Sequence, residues 1–323
     1  MSSNPANKHG GSKAKKPGMD FDKTYPFDFI KQRKKAFTFS IIVTVLGILT
    51  LLIFGLNYGV DFRAGTSLDI NTGQPADLAK VDQIFEQSGF VPDSRNIGGD
   101  NNNRITARFK TILDTDQINQ VMAGFKAAYG DQVSHEENTV DPAIAKEMAS
   151  KAVWGVALAS LGIIIYVSIR FEWRFAVSAV VALLHDAFIV VSIFSIFRLE
   201  VNLTFVAAVL TIIGYSINDT IVIFDRIREN LRFAKVKSFD DLSRVTNTSI
   251  WQTMTRSINT MITVLIAAVF LMIFGSESIR LFSLAMTLGL ISGAYSSVFI
   301  ASPLWILLKN KSTGKKSTQP QTA

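Results

Sequence analysis

Long apolar runs alternate with short polar segments over most of the chain. Six of these runs reach about 18 residues or more, which is the length that an α-helix needs to cross the hydrocarbon layer of a membrane. The polar connections among the last five runs are short, except for a charged segment at residues 225–249. We therefore predict six membrane-spanning helices, at 37–56, 152–169, 175–197, 201–224, 250–274 and 281–308.

The stretch 57–150, between the first two spans, is polar and has a different periodicity. Strand-like and helix-like segments alternate in it, and Gly89 and Gly130 stand where its two helices end. The order strand, helix, strand, strand, helix, strand is that of a small ferredoxin-like α+β domain. No pocket is evident from this pattern, which favours a binding or lever role over catalysis. We predict strands at 67–71, 90–97, 104–110 and 132–140, and helices at 76–88 and 114–129.

The predicted fold class is therefore a polytopic α-helical membrane protein with one small external domain at 57–150. Its other parts are a basic tail at 1–36, which we predict to be disordered, a first span at 37–56, a five-helix bundle at 151–308 and a second basic tail at 309–323. Residues 27–36 (FDFIKQRKKA) mix aromatic and basic side chains, a combination that suits binding to anionic membrane lipids. An ordinary basic flank of the first span is the simpler interpretation.

The charges are distributed unevenly along the chain. The whole chain has a net charge of +7, yet residues 57–150 hold 8 Lys and Arg against 14 Asp and Glu. Basic residues flank the cytoplasmic ends of membrane helices, so we predict that both termini are cytoplasmic and that the acidic domain lies outside. The basic residues lie beside the spans, so no nucleic-acid partner is expected.

The chain has no cysteine, which excludes disulfides and thiolate metal sites.

Polar residues inside two spans are the candidate functional residues. Asp219 lies 19 residues from Glu200 and Arg256 lies 19 residues from Gly275, so both are about 28 Å below the outer surface at the rise of an α-helix. Charges inside a membrane are costly and usually pair with each other, and we predict an Asp219–Arg256 ion pair. The helical period places further polar residues on the same faces, namely Thr204, Thr211, Tyr215 and Asn218 with Asp219, and Thr253, Thr260 and Thr263 with Arg256.

A second polar pair, His185 and Asp186, lies near the middle of the third span. A histidine directly beside an aspartate at this depth indicates proton exchange about as strongly as it indicates a satisfied packing residue. Proton exchange is the chemistry available to these groups, because burial and a movable arginine have opposite effects on a carboxylate. A static ion pair that only fixes helix packing is the alternative. We predict a proton relay of Asp219, Asn218, Arg256, Asp186 and His185, supported by the polar face of Tyr215, Thr211 and Thr260.

No enzymatic motif is present. The sequence has neither a Walker loop nor an H-E-x-x-H metal motif, and we predict no metal and no cofactor other than the proton as coupling ion. An intramembrane aspartyl protease needs two facing aspartates at one depth, whereas Asp225 follows the apolar run and stands beside Arg226 and Arg228. Those three residues are instead predicted to anchor the cytoplasmic end of the fourth span.

A ridge of small residues in the sixth span favours close helix packing, at Ala285, Gly289, Gly293 and Ser297.

Four segments resemble the SecF subunits of the bacterial SecD/SecF family. They are GYSINDTIVIFDRIREN at 214–230, RFEWRF at 170–175, ALLHD at 182–186 and QTMTRSINT at 252–260. Two positions depart from the family pattern. Residues 59–66 read GVDFRAGT, with Ala64 in place of the first of two glycines, and residues 140–142 read VDP, with Asp141 where the family usually has a glycine.

The resemblance implies a function in protein secretion. In that family a SecF half packs against a SecD half, as in the wider group of proton-driven RND exporters, and the proton gradient helps to draw preproteins across the bacterial cytoplasmic membrane. The implied partners are SecD, the SecYEG channel with YajC and YidC as further candidates, the unfolded preprotein and membrane lipids. The resemblance links Asp219 and Arg256 to proton passage. A half-size RND-type exporter of small molecules and a non-transporting assembly scaffold are the rival functions.

Overall fold

The structure is a computed structural model that describes residues 25–316. Within these residues, six helical segments are long and apolar enough to cross a membrane, as predicted. They are α1 (Arg33–Phe54), α5 (Pro142–Arg170), α6 (Trp173–Ile196), α7 (Leu203–Leu231), α8 (Phe239–Phe274), and the pair α9 (Glu277–Ser296) and α10 (Ser302–Lys316), which together make one span.

Helices α5 and α8 begin about ten residues before the apolar runs that predicted them. Polar capping residues account for both early starts, because they satisfy backbone N–H groups at a helix start. Asp141 accepts a hydrogen bond from the backbone N–H of Ala143 (2.8 Å) at the start of α5. Ser238 and Asp241 form a reciprocal capping box at the start of α8. The departure from the family pattern at Asp141 therefore supplies a helix cap.

The sixth span is not one uninterrupted helix. A single π-helical turn at Ser297–Ala301 separates α9 from α10, which the apolar pattern did not predict. Pro303 causes the break, since it has no N–H to donate to the carbonyl four residues earlier. The hydroxyl of Ser302 donates to the carbonyl oxygen of Ser297 (2.9 Å) and satisfies part of the freed backbone. Such turns occur often at functional sites.

The α+β domain matches the predicted element order. Its strands β2 (Gly65–Asn71), β3 (Ser94–Gly98), β4 (Arg104–Phe109) and β5 (Ser134–Val140) form an antiparallel sheet in the order β3-β4-β2-β5. Helices α3 (Leu78–Ser88) and α4 (Thr115–Tyr129) cover one face. This sheet order is that of a βαββαβ ferredoxin-like domain. A short helix α2 (Val60–Arg63) and a two-residue pair of strands, β1 (Asn57–Tyr58) and β6 (Glu200–Val201), were not predicted.

The chain enters β2 through two residues in the left-handed region. Ala64 has φ 67° and Gly65 has φ 113°. A side chain at Gly65 would collide with the carbonyl oxygen of Phe109, so only glycine fits there. Ala64 is strained by its backbone conformation, and its methyl group packs with Val60 and Val140 in a small apolar cluster. The family's usual glycine at position 64 therefore matches the backbone that the structure shows.

Residues 25–36 differ from the predicted disordered tail, whose remaining residues lie outside the described part of the chain. Ile30 is fully buried and α1 begins at Arg33. The ring of Phe29 packs against Trp251 and Phe299, and the backbone N–H of Phe29 donates to Asn247 (3.1 Å). Aromatic burial thus fixes this segment to α8 and to the π-helical turn, an interaction that a count of charges does not reveal.

Within the bundle, α6, α7 and the α9–α10 span are the central helices. A far larger share of their membrane-spanning residues is buried than in α1, α5 and α8. The α+β domain lies at one end of the bundle, which we call the domain end, and the opposite end is called the far end. Both termini of the described chain lie at the far end, because the domain is inserted between the first two of six spans.

Leu68 and Leu78 offer a matched test of the α+β core. Leu68 in β2 is 0% exposed, whereas Leu78 in α3 is 50% exposed. We expect Leu68→Ala to lower the free energy of unfolding of the domain by about 2–5 kcal/mol, since it opens a cavity. Leu78→Ala is expected to cost less than about 1 kcal/mol. Pulse proteolysis of the full-length protein measures both, and equal losses would contradict this core assignment.

Asp69 and Asp93 are expected to change the pH dependence of stability in opposite directions. Burial raises the pKa of the Asp69 carboxyl above its ordinary value of 3.8, more than the Thr106 hydroxyl (2.6 Å) lowers it. Hydrogen bonds from Lys110 lower the pKa of the exposed Asp93 carboxyl. A carboxyl whose pKa is raised by folding stabilises the protein in acid, and this stability is lost as the pH rises through the folded-state pKa. A carboxyl whose pKa is lowered by folding stabilises the protein at higher pH, and this stability is lost as the pH falls through the folded-state pKa.

We therefore expect Asp69→Asn to gain stability relative to the wild type at pH 7 and to lose that advantage in acid. Asp93→Asn is expected to be less stable than the wild type at pH 7, by an amount that shrinks on acidification. Thermal unfolding of the full-length variants between about pH 2 and pH 8, a range that extends below the ordinary aspartate pKa, measures both differences. The same sign for the two variants would show that these environments are wrongly assigned.

Candidate functional site

Helix α7 carries the predicted site and packs between the other central helices and α8. Its Asp219 is half-buried and lies beside the hydroxyls of Ser257 on α8 and Ser297 at the π-helical turn, within electrostatic reach of Arg256. One carboxylate oxygen, Oδ2, is buried and accepts no hydrogen bond within the described residues. Such an orphaned oxygen inside a membrane bundle is unusual, because buried polar atoms almost always find a partner.

The predicted ion pair between Asp219 and Arg256 is not formed. Across residues 25–316, no salt bridge joins these two side chains, and the Arg256 side chain is exposed. Arg256 instead lines a polar cleft of about 520 Å³ between α7 and α8, together with Asn218 and Gln252. The two charges lie on neighbouring helices, as the depth argument predicts.

The π-helical turn is joined to α7 next to Asp219. The hydroxyls of Thr220 and Ser297 are 2.9 Å apart and both are buried. Close packing continues along α9, where a side chain at Gly289 would collide with Ile212 and one at Gly293 would meet Ser216. The small-residue ridge of the sixth span therefore packs against α7, and Ser297, which was predicted only as part of this ridge, is also a neighbour of Asp219.

The second aspartate, Asp186 on α6, accepts hydrogen bonds from two other helices. Its Oδ2 accepts hydrogen bonds from Ser216 on α7 (2.6 Å) and Ser296 on α9 (2.6 Å), and its Oδ1 accepts one from Ser292 on α9 (2.7 Å). The Nδ1 atom of His185 lies 3.3 Å from Oδ1. A carboxylate has about four lone-pair sites, and serine hydroxyls use three of them here. Asp186 therefore cross-links the three central helices.

His185 lies on the side of Asp186 that faces α1. Its ring lies 6.2 Å from that of Tyr295, and it borders an apolar groove between α1 and α6. The hydroxyl of Tyr295 lies 3.1 Å from Ser40 and donates to the carbonyl oxygen of Ala36 (3.1 Å). His185 thus stands between the buried Asp186 and a polar contact with the first span.

The structure brings only some of the predicted relay residues together. Asp219, Asn218 and Arg256 share the α7–α8 region, whereas Asp186 is bound between α7 and α9 by Ser216, Ser292 and Ser296. Thr211 and Thr260 are exposed and donate their hydroxyls to carbonyl oxygens of their own helices (2.8 and 2.9 Å). The buried Tyr215 hydroxyl has no hydrogen-bond partner among the described residues.

The predicted anchor at the end of α7 makes contacts with two other helices. Asp225 accepts hydrogen bonds from Arg228 (2.8 Å) and Arg170 of α5 (3.4 Å). Arg226 donates to Gln252 of α8 (2.7 Å). These contacts tie the far end of α7 to α5 and α8, although their functional role as an anchor stays a prediction.

Sequence reasoning missed the serine residues that define both carboxylate environments. Ser216, Ser257, Ser292 and Ser296 were not singled out. The spacing of Ser292 and Ser296, four apart and one position before the small-residue ridge, was the available signal. Serine is common in membrane helices, and its hydroxyl usually bonds to a carbonyl oxygen of its own helix. The spacing of Ser292 and Ser296 therefore acquires meaning only when a buried carboxylate is known to face them.

Six spans, an α+β domain inserted after the first span and charged groups inside the bundle define a multi-pass membrane protein with an intramembrane polar site. Comparisons with known proteins identify its family. A family model described as protein export membrane protein SecD/SecF, C-terminal, matches residues 120–311, and a second, described as the SecD/SecF GG motif, matches residues 50–76. The chain therefore belongs to the SecD/SecF family of protein translocase subunits.

Individual relatives agree with this assignment. The chain is 46% identical to protein translocase subunit SecF of Alicyclobacillus acidocaldarius, over 92% of this chain and 97% of the relative. It is 47% identical to protein translocase subunit SecDF of Bacillus subtilis over 91% of this chain, and it spans only 40% of that longer protein. The crystal structure of SecDF from Thermus thermophilus superimposes with a TM-score of 0.79 at 30% identity, covering 91% of this chain and 40% of that one.

Two buried serines on α9 test the cross-linking by Asp186. Ser296 donates to Asp186, whereas the equally buried hydroxyl of Ser283 has no partner among the described residues. We expect Ser296→Ala to lower the free energy of unfolding by about 1.5–3 kcal/mol, since it removes a donor from a charged acceptor. Ser283→Ala is expected to be neutral or stabilising. Denaturant titration in detergent measures both, and two equally stable variants would contradict the cross-link.

Proposed function

We propose that this chain is a SecF-type accessory subunit of the bacterial Sec translocase and that it uses the proton gradient, together with a SecD-type half, to promote preprotein translocation and release. The observation that carries the proposal is the orphaned carboxylate oxygen of Asp219 beside a polar cleft. A carboxyl group with a free oxygen can change its charge without breaking a hydrogen bond at that atom. Intramembrane carboxylates of this kind are the usual components of proton relays.

An uncovered polar face supports a SecD-type partner. Exposed residues on α7 and α8 carry amide, hydroxyl and guanidinium groups at membrane depth, namely Thr211, Asn218, Arg256, Asn259, Thr260 and Thr263. Contact of such groups with lipid tails is unfavourable, so they face protein or a water-filled cavity. The Bacillus subtilis relative, of which this chain matches 40%, bears the combined name SecDF. We place the second half on this face, where it closes the cleft beside Asp219.

In the proposed relay Asp219 is the carrier and Arg256 modulates its charge. Arg256 is exposed and lines the cleft, so it has room to approach Asp219 or to move away. Asn218 lies on the cleft side of the same helix turn. Asp186 and His185 form the supporting part of the relay, since the hydrogen-bonded Asp186 holds α6, α7 and α9 together around the carrier. One charge that crosses the full potential supplies about 2.3 kcal/mol per 100 mV.

The proposal includes an orientation and further partners. Both termini are cytoplasmic, which follows from the basic residues at the far end, and the α+β domain faces outward from the bacterial cytoplasmic membrane. The SecYEG channel delivers the unfolded preprotein, and YajC and YidC are candidate neighbours. The relatives are named translocase subunits, and no contact in the described residues favours the rival small-molecule exporter.

Asp219→Asn tests the carrier role against a matched control. We expect this variant to copurify with its SecD-type partner but to lose the stimulation of preprotein release by a proton gradient, because an amide cannot exchange a proton. Asp240→Asn alters an exposed carboxylate that lies at the start of α8 and makes no hydrogen bond or ion pair among the described residues, and this variant is expected to keep the stimulation. Preprotein release from reconstituted vesicles, with and without a gradient, is the measurement. Gradient-stimulated release by Asp219→Asn would refute the carrier role.

A further inference from the structure

The α+β domain is joined to α7 by a short segment before β2. Strand β1 pairs in parallel with β6, whose residues Glu200 and Val201 directly precede the start of α7. The backbone N–H of Gly59 extends this pairing by donating to the carbonyl oxygen of Val201 (2.9 Å). The segment that leads into the external sheet is therefore hydrogen-bonded to the segment that leads into the helix carrying Asp219.

Asp61, in the short helix α2, connects the two sides with one side chain. Its Oδ1 accepts a hydrogen bond from the side chain of Asn138 on β5 (2.8 Å). Its Oδ2 accepts one from the backbone N–H of Leu203, the first residue of α7 (2.9 Å). The N–H groups of a first helical turn have no partner inside the helix, so this bond satisfies a group that the helix cannot satisfy itself.

A buried ion pair strengthens the same joint. Arg108 on β4 pairs with Glu200, and their side chains are only 18% and 13% exposed. Arg108 also donates to the side chain of Asn57 in β1 (3.1 Å). Burial raises the pKa of the Glu200 carboxyl, and Arg108 opposes that rise. Strands β1 and β4 thus converge on Glu200 and Val201, just before the N-cap residue Asn202 of α7.

Helix α7 is a continuous rod between this joint and the proposed carrier. It runs from Leu203 to Leu231 without a proline or a break. Asp219 lies sixteen residues after Leu203, about 24 Å along the axis at 1.5 Å per residue. A displacement of α7 at Asp219 is therefore delivered to its first residue, where the carboxylate of Asp61 is bound.

We propose that Asp61 is the coupling residue, which transmits movements of α7 to the external sheet through its bridge from Leu203 to Asn138. The inference rests on the proposed function, since the carrier Asp219 supplies the movement. Asp61 acts through other residues and is a positioning residue. The simpler possibility, that Asp61 only caps α7, makes a different prediction about its neighbours.

Three variants separate coupling from capping. Asp61→Ala removes both ends of the bridge, and Asn138→Ala removes only the end at the sheet. Asn202→Ala is the matched control, because the Asn202 side chain caps α7 by accepting from the N–H of Phe205 (2.9 Å) and makes no hydrogen bond to the α+β domain among the described residues. If Asp61 only caps α7, Asp61→Ala and Asn202→Ala will have the same effect and Asn138→Ala will have none.

The chain's lack of cysteine allows two labelled readouts in the full-length protein assembled with its SecD-type partner. Spin labels on Val91→Cys in the domain and Phe274→Cys at the domain end of α8, both exposed, report the movement of the domain with pH. The maleimide reactivity of a single Ile221→Cys, which lines the cleft, reports the pH response near the carrier.

We expect Asp61→Ala and Asn138→Ala to keep the pH response at residue 221 but to lose the pH-dependent change in label distance. Gradient-stimulated preprotein release should then fall about 2- to 30-fold, the range typical of a broken coupling contact. Asn202→Ala should keep both readouts. A retained distance change in Asp61→Ala, or an equal loss in Asn202→Ala, would overturn the coupling role. If Asp61→Ala fails to assemble, Asn138→Ala decides.

The two proposals fail in different ways. If the carrier role of Asp219 is wrong, the pH response at residue 221 will survive in Asp219→Asn. If only the coupling role is wrong, that response will depend on Asp219 and the domain will still move without the Asp61 bridge.

Discussion

A carboxylate inside a membrane must accept hydrogen bonds or take up a proton, because an unpaired buried charge is costly. The two aspartates of the bundle meet this constraint in different ways. Asp186 accepts hydrogen bonds from three serine hydroxyls, which join helices α6, α7 and α9, and an imidazole lies beside it. Asp219 keeps one buried oxygen without a donor. The first arrangement makes a fixed cross-link, whereas the second leaves a group whose charge can change. The second arrangement depends on the first, because a group whose charge changes needs a rigid bundle around it.

The rigid frame also determines where a change at Asp219 can be delivered. The π-helical turn at Ser297–Ala301 lies beside it, and Thr220 joins that turn to α7. The far end of α7 is tied down through Asp225 and Arg226, while its first residue is bound by Asp61. A continuous helix that is bound at both ends moves as one unit, so a displacement at Asp219 also displaces its first residue. The α+β domain, which is bonded to the first residue of α7 through Asp61, is the part proposed to receive the movement.

Much of this architecture follows from the sequence. Apolar run length predicts six spans because the hydrocarbon layer sets the length of a helix, and local periodicity with Gly89 and Gly130 predicts the α+β domain. The depth argument places Asp219 and Arg256 on neighbouring helices. What could not be predicted depends on contacts between distant residues. The ion pair is absent because Arg256 faces an open cleft, and the serines around Asp186 come from two other helices, α7 and α9. The early starts of α5 and α8 and the packing of Phe29 likewise depend on caps and tertiary contacts that period and composition do not encode.

Infrared difference spectroscopy between acidic and alkaline pH tests the central distinction most directly, because the C=O stretch of a protonated carboxyl group is resolved from that of a carboxylate. The protein assembled with its SecD-type partner should show a protonated-carboxyl band from the bundle that disappears in Asp219→Asn and persists in Asp186→Asn. A band that survives in Asp219→Asn but is lost in Asp186→Asn would show that the hydrogen-bonded aspartate carries the proton, and it would contradict the account.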